Sequence, residues 1–337
     1  MKSTSETTPF ASRESSQRQV IDPALIAHMT RNEADMAFKK RVQTIFEWIN
    51  PQDDDLILDI PCGRGFYLNM FRYVSRCRLI GAELDWPVLL KAQQNVGHLP
   101  DIALHNVNIY NMPYPDNTFD AVILSEVLEH IERDVDGLKE VYRVLKPGGV
   151  AAITVPNANY PFWWDPINKT LEKTLRTHIS TGPLAGIWAN HVRLYEREDL
   201  HAAVRAAGFV IESARSFTHY SFPFIHNLVY GLGKPLLESG ALPKNMANAA
   251  DRTTFDKNDG SLLNPINLGL KVLNFFDRPN VINEPPSRST VNLAVKGRKP
   301  DACAGQTSTP TRDCRPNRFP IRRLLPIGPL NSRRLRR

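Results

Sequence analysis

The segment Leu56-Ile57-Leu58-Asp59-Ile60-Pro61-Cys62-Gly63-Arg64-Gly65-Phe66 constrains this chain more than any other. An apolar strand ends in an acid, a tight glycine turn follows, and a helix opens. A turn of this kind lets backbone N–H groups and a helix N-terminus approach a ligand closely. The acid at the strand tip narrows the ligand. A dinucleotide site puts a pyrophosphate at the turn, and a carboxylate would repel it. Asp59 suits a ligand that carries a cationic amine. Taken alone, the segment also reads as an ordinary strand-to-helix turn.

Later segments fall where a nucleoside site needs them. Arg78-Leu79-Ile80-Gly81-Ala82-Glu83-Leu84-Asp85 reads as a second strand ending in acid. Glu83 follows the turn by roughly 20 residues, the distance at which a βαβ unit returns an acid to ribose hydroxyls. The competing reading is a solvated strand end, or an N-cap role shared with Asp85 ahead of Trp86-Pro87. A third strand is predicted from Ile102 to Asn108, and a fourth over Phe119–Ser125. Glu126-Val127-Leu128-Glu129-His130-Ile131 comes next, then a helix stopped at Leu145-Lys146-Pro147-Gly148-Gly149. Val150 to Val155 make a fifth strand, closed by Pro156-Asn157.

Over about residues 40 to 220 this run resembles the class I S-adenosylmethionine-dependent methyltransferases, in particular those acting on small molecules in ubiquinone and menaquinone biosynthesis. The Pro115-Asp116-Asn117 turn, Glu126–Ile131 and Leu145–Gly149 carry the likeness, in order and spacing. The resemblance implies an α/β fold: a Rossmann-like sheet of seven strands, the last antiparallel, with helices on both faces, a lid and a C-terminal insertion. It implies S-adenosyl-L-methionine as cofactor. Asp59, Cys62, Gly63 and Gly65 would hold the methionine part, and Glu83 the ribose with Leu84 against the adenine. Asn108 would meet the adenine amino group, Ile109 would pack on the ring, and Ser125 would line the cofactor near the reacting methyl. Two positions depart from the family. Pro61 stands where glycine is usual and lacks an N–H. Asn108 stands where aspartate is frequent, and its carbonyl can still accept from an amine.

Composition sharpens the choice of partner. The net charge is +7, but residues 301–337 hold nine arginines against two acids, while the first 300 residues balance at 33 basic and 33 acidic side chains. The body therefore offers no bulk attraction for nucleic acid. The tail reads as basic and disordered. Its Arg333-Arg334-Leu335-Arg336-Arg337 cluster suits anionic lipid or RNA, or no dedicated partner at all. Cys62, Cys77, Cys303 and Cys314 form no C-x-x-C pair, so neither a zinc site nor a disulfide framework is expected. Asp53-Asp54-Asp55 precedes a strand and reads as a solvated turn, and no metal is expected. No run of 18 apolar residues reads as a membrane span, and residues 1–22 read as a disordered segment with no secretory signal. A cytoplasmic enzyme is the expectation.

Residues 23–221 read as the methyltransferase core. Apolar residues from Pro23 to Asn50 recur at helical spacing, either covering the active site or simply docking a helix. Residues 157–190 form a long excursion from a strand's carboxyl end, with Tyr160, Phe162, Trp163, Trp164 and Trp188. Such loops are usually functional. The favoured reading is a lid shielding an apolar acceptor; the alternative is that its aromatics anchor the loop. A helix from Glu196 to Ala207 and a strand from Phe209 to Phe217 come next. Residues 222–287 read as a helical insertion that packs on the core or on a second subunit, with peripheral membrane contact as another candidate role. Residues 288–300 supply the final strand over Thr290–Lys296.

The expected reaction is methyl transfer to oxygen or carbon of a small, fairly apolar or aromatic acceptor. For a hydroxyl acceptor, His130 and His191 are the candidate bases, and each also suits a structural hydrogen bond. The other classes weighed are a NAD-type oxidoreductase, opposed by Asp59 and the missing G-x-G-x-x-G, and a non-catalytic binding subunit, opposed by Asp59, Gly63, Gly65 and Glu83.

Overall fold

The computed structural model describes residues 20–255 and 260–301. The expectations for the segment before residue 20 and for the arginine-rich tail beyond residue 301 lie outside them.

Strands β1 (Leu56–Asp59), β2 (Arg78–Glu83), β3 (Ile102–Asn106), β4 (Phe119–Ser125), β5 (Leu145–Pro156), β6 (Val210–Phe217) and β7 (Asn292–Arg298) form one sheet in the order β3-β2-β1-β4-β5-β7-β6. β1 to β5 run parallel, and β7 inserts antiparallel between β5 and β6. The order reverses beside β1, so the carboxyl ends of β1 and β4 flank a crevice, the usual ligand position in an open α/β sheet.

The strands are apolar at successive positions because both faces are covered. Alternation then sorts the side chains. Leu56, Leu58, Val122 and Leu124 face one core with the helices α5 (Asp134–Val144) and α7 (Arg197–Ala206). Ile57, Ala121 and Ile123 face the other, with α1 (Pro23–Met29), α2 (Met36–Ile49), α3 (Phe66–Val74) and α4 (Trp86–Val96). A third apolar cluster joins the start of α2 (Met36, Ala37) to the 157–190 excursion (Tyr160, Trp164, Ile187) and to residues 222–287 (Ile225, Leu273). The 157–190 excursion contains α6 (Pro166–Leu175), and residues 222–287 contain α8 (Lys234–Glu238), α9 (Lys244–Ala250) and α10 (Pro265–Asp277).

Several sequence expectations change in detail. The helical run from Pro23 to Asn50 is two helices. Thr30 turns its hydroxyl back onto the Ile26 carbonyl (2.9 Å), and Asp35 restarts the helix by accepting from the N–H groups of Ala37 and Phe38. β5 begins at Leu145 rather than Val150, because Leu145 already pairs with Phe119 and the intervening Gly-Gly segment is taken up as a register shift. The last strand starts at Asn292, two residues later than predicted. Tyr160 and Trp164 are buried in the third cluster, whereas Phe162 and Trp163 remain exposed. The first pair therefore anchors the loop, and the second pair lies on its exposed surface.

Candidate functional site

Asp59 ends β1, and Glu83 ends its parallel neighbour β2. Both are buried, and neither oxygen of Asp59 has a hydrogen-bond partner. Burial, reinforced by the nearby Glu83 charge, pushes the Asp59 carboxyl well above its ordinary range. A buried carboxylate left in this condition costs stability unless a cation or donor reaches it. Glu83 is held differently. Its Oε2 accepts from Gly63 N–H (3.1 Å) and its Oε1 from Asp85 N–H (3.0 Å), which fixes the carboxylate and leaves further lone pairs on both oxygens.

The turn between them is shaped by two glycines. Gly63 has φ +52°, and a Cβ there would meet nothing within 4 Å, so the turn presents open space to a ligand. Gly65 has φ +83°, and a Cβ there would sit 2.8 Å from a Val96 methyl. Gly65 also begins α3 without a side-chain cap, leaving first-turn N–H groups for a ligand. Cys62 is buried, and burial raises its thiol pKa, so it serves as a small filler and not as a nucleophile. Pro61 follows a cis peptide bond, and the turn's hydrogen bonds run through Cys62 and Gly65 instead.

The sequence-predicted residues Leu84, Asn108 and Ile109 follow the ends of β2 and β3. Leu84 is exposed at the tip of β2. Asn106 fastens that tip by donating to the carbonyls of Glu83 and Leu84 (both 2.8 Å). Because β3 ends at Asn106, Asn108 lies in the turn beyond, where its Oδ1 accepts from Tyr110 N–H (3.0 Å) and keeps a second lone pair. Ile109 is buried in the core beneath this turn. The buried, unpaired Asp59, the anchored Glu83 and the open turn fit an aminoacyl nucleoside. In S-adenosylmethionine, Asp59 would take the amine and Glu83 the ribose hydroxyls, with Leu84 and Asn108 at the base.

Across the crevice, the end of β4 carries a second polar group of residues. Ser125 Oγ lies 3.2 Å from Tyr67 Oη and 3.0 Å from Thr154 Oγ1. Thr154 donates to Glu126 (3.0 Å), Asn292 donates to both Glu126 oxygens (3.1 Å each), and Arg41 pairs with Glu126 at 2.7 Å. Glu126 holds φ +54°, uncommon for a side-chain-bearing residue and a mark of a constrained site. Leu128–His130 then form a 3-10 turn before α5 begins. Glu129 is fully buried, and neither oxygen has a hydrogen-bond partner; burial first, then the Glu126 charge, hold its carboxyl well above the ordinary range.

The segment returning from the lid is clamped onto this turn. Val192 N–H donates to the Glu129 carbonyl (2.8 Å), Arg193 pairs with Asp134 (2.9 Å), and Tyr195 Oη donates to Asp134 (2.7 Å). The clamp brings His191 against His130, ring centroids 4.6 Å apart. His130 Nδ1 lies 2.9 Å from the Asn190 carbonyl. Burial, then the His130 charge, push His191 down to about 4, so its ring is neutral at physiological pH. Sequence reasoning named both histidines but missed Glu126, Glu129, Tyr67, Arg41 and Asn292. The signal for the glutamates was two acids three residues apart directly after an apolar strand; the other three come from distant segments and left none.

The methyltransferase-domain family model matches residues 58–153, from β1 through most of β5. Among curated relatives, the chain is 31% identical over 186 residues to an uncharacterized methyltransferase of Schizosaccharomyces pombe, covering 50% of this chain and 66% of that protein. It is 26% identical over 167 residues to a probable S-adenosylmethionine-dependent methyltransferase of Mycolicibacterium smegmatis (48% and 55%), and 34% identical over 100 residues to a demethylmenaquinone methyltransferase of Symbiobacterium thermophilum (28% and 40%). The matches thus span between 40% and 66% of these relatives' lengths. With its sheet order, its one reversed strand and a methyltransferase-domain match over the strands that bear the acidic tips, the chain contains a methyltransferase domain of the class I S-adenosylmethionine-dependent kind.

Proposed function

We propose that this chain transfers a methyl group from S-adenosylmethionine to oxygen or carbon of a small, fairly apolar acceptor. The observation that carries the cofactor half of this reading is Asp59: a buried carboxylate with both oxygens unpaired, set beside Glu83 at an open glycine turn. When bound, the cofactor supplies an electrophilic methyl carbon on a positively charged sulfur. The chain's own task is then placement. Asp59 and Glu83 fix the two ends of the nucleoside, and Ser125, held by Tyr67 and Thr154, bounds the crevice on the acceptor side. Alignment of this kind supplies on the order of 7–11 kcal/mol of a barrier.

Support for an apolar acceptor comes from the lid. Its buried anchors Tyr160 and Trp164 share an apolar cluster with the insertion, while Phe162 and Trp163 stay exposed next to them. Exposed aromatics on an anchored loop suit closure over an apolar ligand. The Symbiobacterium relative is named for demethylmenaquinone, an acceptor of that chemistry. Among the described residues, no helix is long and apolar enough to cross a membrane, so such an acceptor would be reached from the aqueous side or from a membrane surface.

The test has two stages. Isothermal titration should show saturable binding of S-adenosylmethionine and its demethylated product, and none of NADH. Isotopically labelled methyl transfer, run over phenolic, prenylated-quinone, sterol, tRNA and protein acceptors, should then label a small apolar molecule. Labelling of tRNA or protein alone would overturn the acceptor class, and NADH binding in place of S-adenosylmethionine would overturn the reaction.

A further inference from the structure

We propose that Glu129, His130 and His191 form a three-ligand site for a divalent transition-metal cation, beside the acceptor end of β4. The three side chains offer one carboxylate oxygen and two imidazole nitrogens, all within 4.8 Å of one another. Two neutral nitrogens and one oxygen are the donor set of a zinc-type cation rather than of magnesium or calcium.

Three independent features point to a ligand. Glu129 has no exposed surface, and neither of its oxygens has a hydrogen-bond partner. A carboxylate is not normally left so, because burial without hydrogen bonds is unfavourable. His130 Nδ1 lies 2.9 Å from the Asn190 carbonyl, which selects the tautomer with hydrogen on Nδ1. That leaves a lone pair on Nε2, which lies 3.9 Å from Glu129 Oε1. A ligating histidine is oriented by the same kind of outer contact to a carbonyl. The third feature is the clamp: His191 reaches the site only because Val192 is hydrogen-bonded to Glu129's own backbone carbonyl. His191, 61 positions after His130, is thereby held in one constellation with it.

Bonds of about 2.0–2.2 Å place tetrahedral ligand atoms roughly 3.3–3.6 Å apart, so the three atoms need to close by about 1 Å. His130, whose side chain keeps 41% of its surface exposed, has room for that movement. Glu126 is outside the set, since Arg41, Thr154 and Asn292 already occupy its oxygens. The exposed side of His130 leaves a coordination position for a ligand from solvent.

For the reaction proposed above, and resting on it, that position would take the acceptor hydroxyl. Its proton leaves to solvent, its oxygen lone pair forms the new C–O bond, and the sulfur–methyl bond breaks with its electrons returning to sulfur. The two histidines then act as ligands, and no side chain has to remove the proton.

The decisive measurement is cation binding, which does not depend on methyl transfer. The full chain is stripped with a chelator and titrated with Co²⁺, with Zn²⁺ as competitor, and binding is read from the visible cobalt bands. We expect one saturable equivalent per chain, displaced by Zn²⁺ and unchanged in His98→Ala, an exposed histidine elsewhere. Glu129→Gln, His130→Gln and His191→Ala should each weaken Co²⁺ binding by more than the roughly 10–100-fold that loss of an outer partner costs. S-adenosylmethionine titration of each variant checks folding, and the half-exposed His130→Gln serves if a buried variant fails to fold. Absence of a saturable equivalent, or parental binding in His130→Gln, overturns the site. Failure to bind S-adenosylmethionine with Co²⁺ binding intact overturns only the reaction.

Discussion

The two sides of the crevice hold their acids by opposite means. On the β1–β2 side the chain is local and backbone-built: Glu83 is fixed by two N–H groups within 20 positions of it, and Asp59 stands alone at a strand tip. On the β4 side Glu126 is fixed by side chains from all over the sequence, with Arg41, Thr154 and Asn292 converging on it. A backbone-built site survives exchange of most side chains around it. A side-chain-built site depends on each contributor and is free to change specificity by changing one. The first arrangement suits a cofactor common to many enzymes, and the second an acceptor particular to one.

The largest effect should come from the first side. Asp59→Asn keeps the shape but removes the charge that would meet an amine, so titration with S-adenosylmethionine should show a loss of about 3–5 kcal/mol, or roughly 10²-fold to 4 × 10³-fold in affinity. The same change should stabilise the free protein. Asp59 has a raised carboxyl pKa when folded, so its penalty is absent below the unfolded value and grows as pH climbs toward the folded value. The variant should therefore melt above the parent near neutral pH, and the gap should shrink on acidification toward the ordinary carboxylate range. A variant that melts below the parent at neutral pH would show that Asp59 is satisfied without a ligand, and the contrast between the two sides would fail.

The second side is tested through Arg41. Its guanidinium pairs with Glu126, 24% exposed, from a nearly buried position. Arg41→Ala would leave that carboxylate with only the neutral donors Thr154 and Asn292, at a cost in the range of about 2–3 kcal/mol, below the 3–5 of a fully buried pair because water and these donors still reach Glu126. Arg215 offers the contrast. It makes a two-pronged pair with Glu47 (2.8 and 2.5 Å), but Glu47 is half exposed, and Arg215→Ala should cost under about 1 kcal/mol, less in high salt. Chemical denaturation of both variants at two salt concentrations reads the difference. Equal costs would mean that Glu126 is no better built than a surface pair.

This difference also explains what the sequence disclosed. β1, β2 and β4 were legible because apolar runs ending in Asp59, Glu83 and Ser125 are local signals, and the glycine turn lies between two of them. The start of β5 was not, because a Pro-Gly-Gly segment reads as a breaker while the pairing of Leu145 with Phe119 is a tertiary fact. The break at Thr30 was hidden for a related reason: apolar spacing continues across it, and only the capping by Asp35 separates the helices. On the β4 side, His130 and His191 were visible as separate candidate bases and Glu129 was not, because their meeting depends on Val192 docking to the turn. No pattern in residues 157–190 announces that contact.

The glycines of the turn separate backbone strain from ligand space. Gly65→Ala adds a methyl 2.8 Å from a Val96 methyl at φ +83°, so it carries both a left-handed penalty of about 1–2 kcal/mol and a clash with the face of α4. Gly63→Ala carries the left-handed penalty alone, since nothing lies within 4 Å of its Cβ. Thermal melting should therefore rank the free proteins as parent, Gly63→Ala, Gly65→Ala, from most to least stable. Cofactor affinity should follow a different order. A methyl at Gly63 projects into the open space of the turn, so Gly63→Ala should lose more in S-adenosylmethionine titration than its modest melting shift accounts for. If both variants instead lose affinity only in proportion to stability, the open space over Gly63 is not where the ligand lies, and the backbone-built side of the crevice has been assigned to the wrong face of the turn.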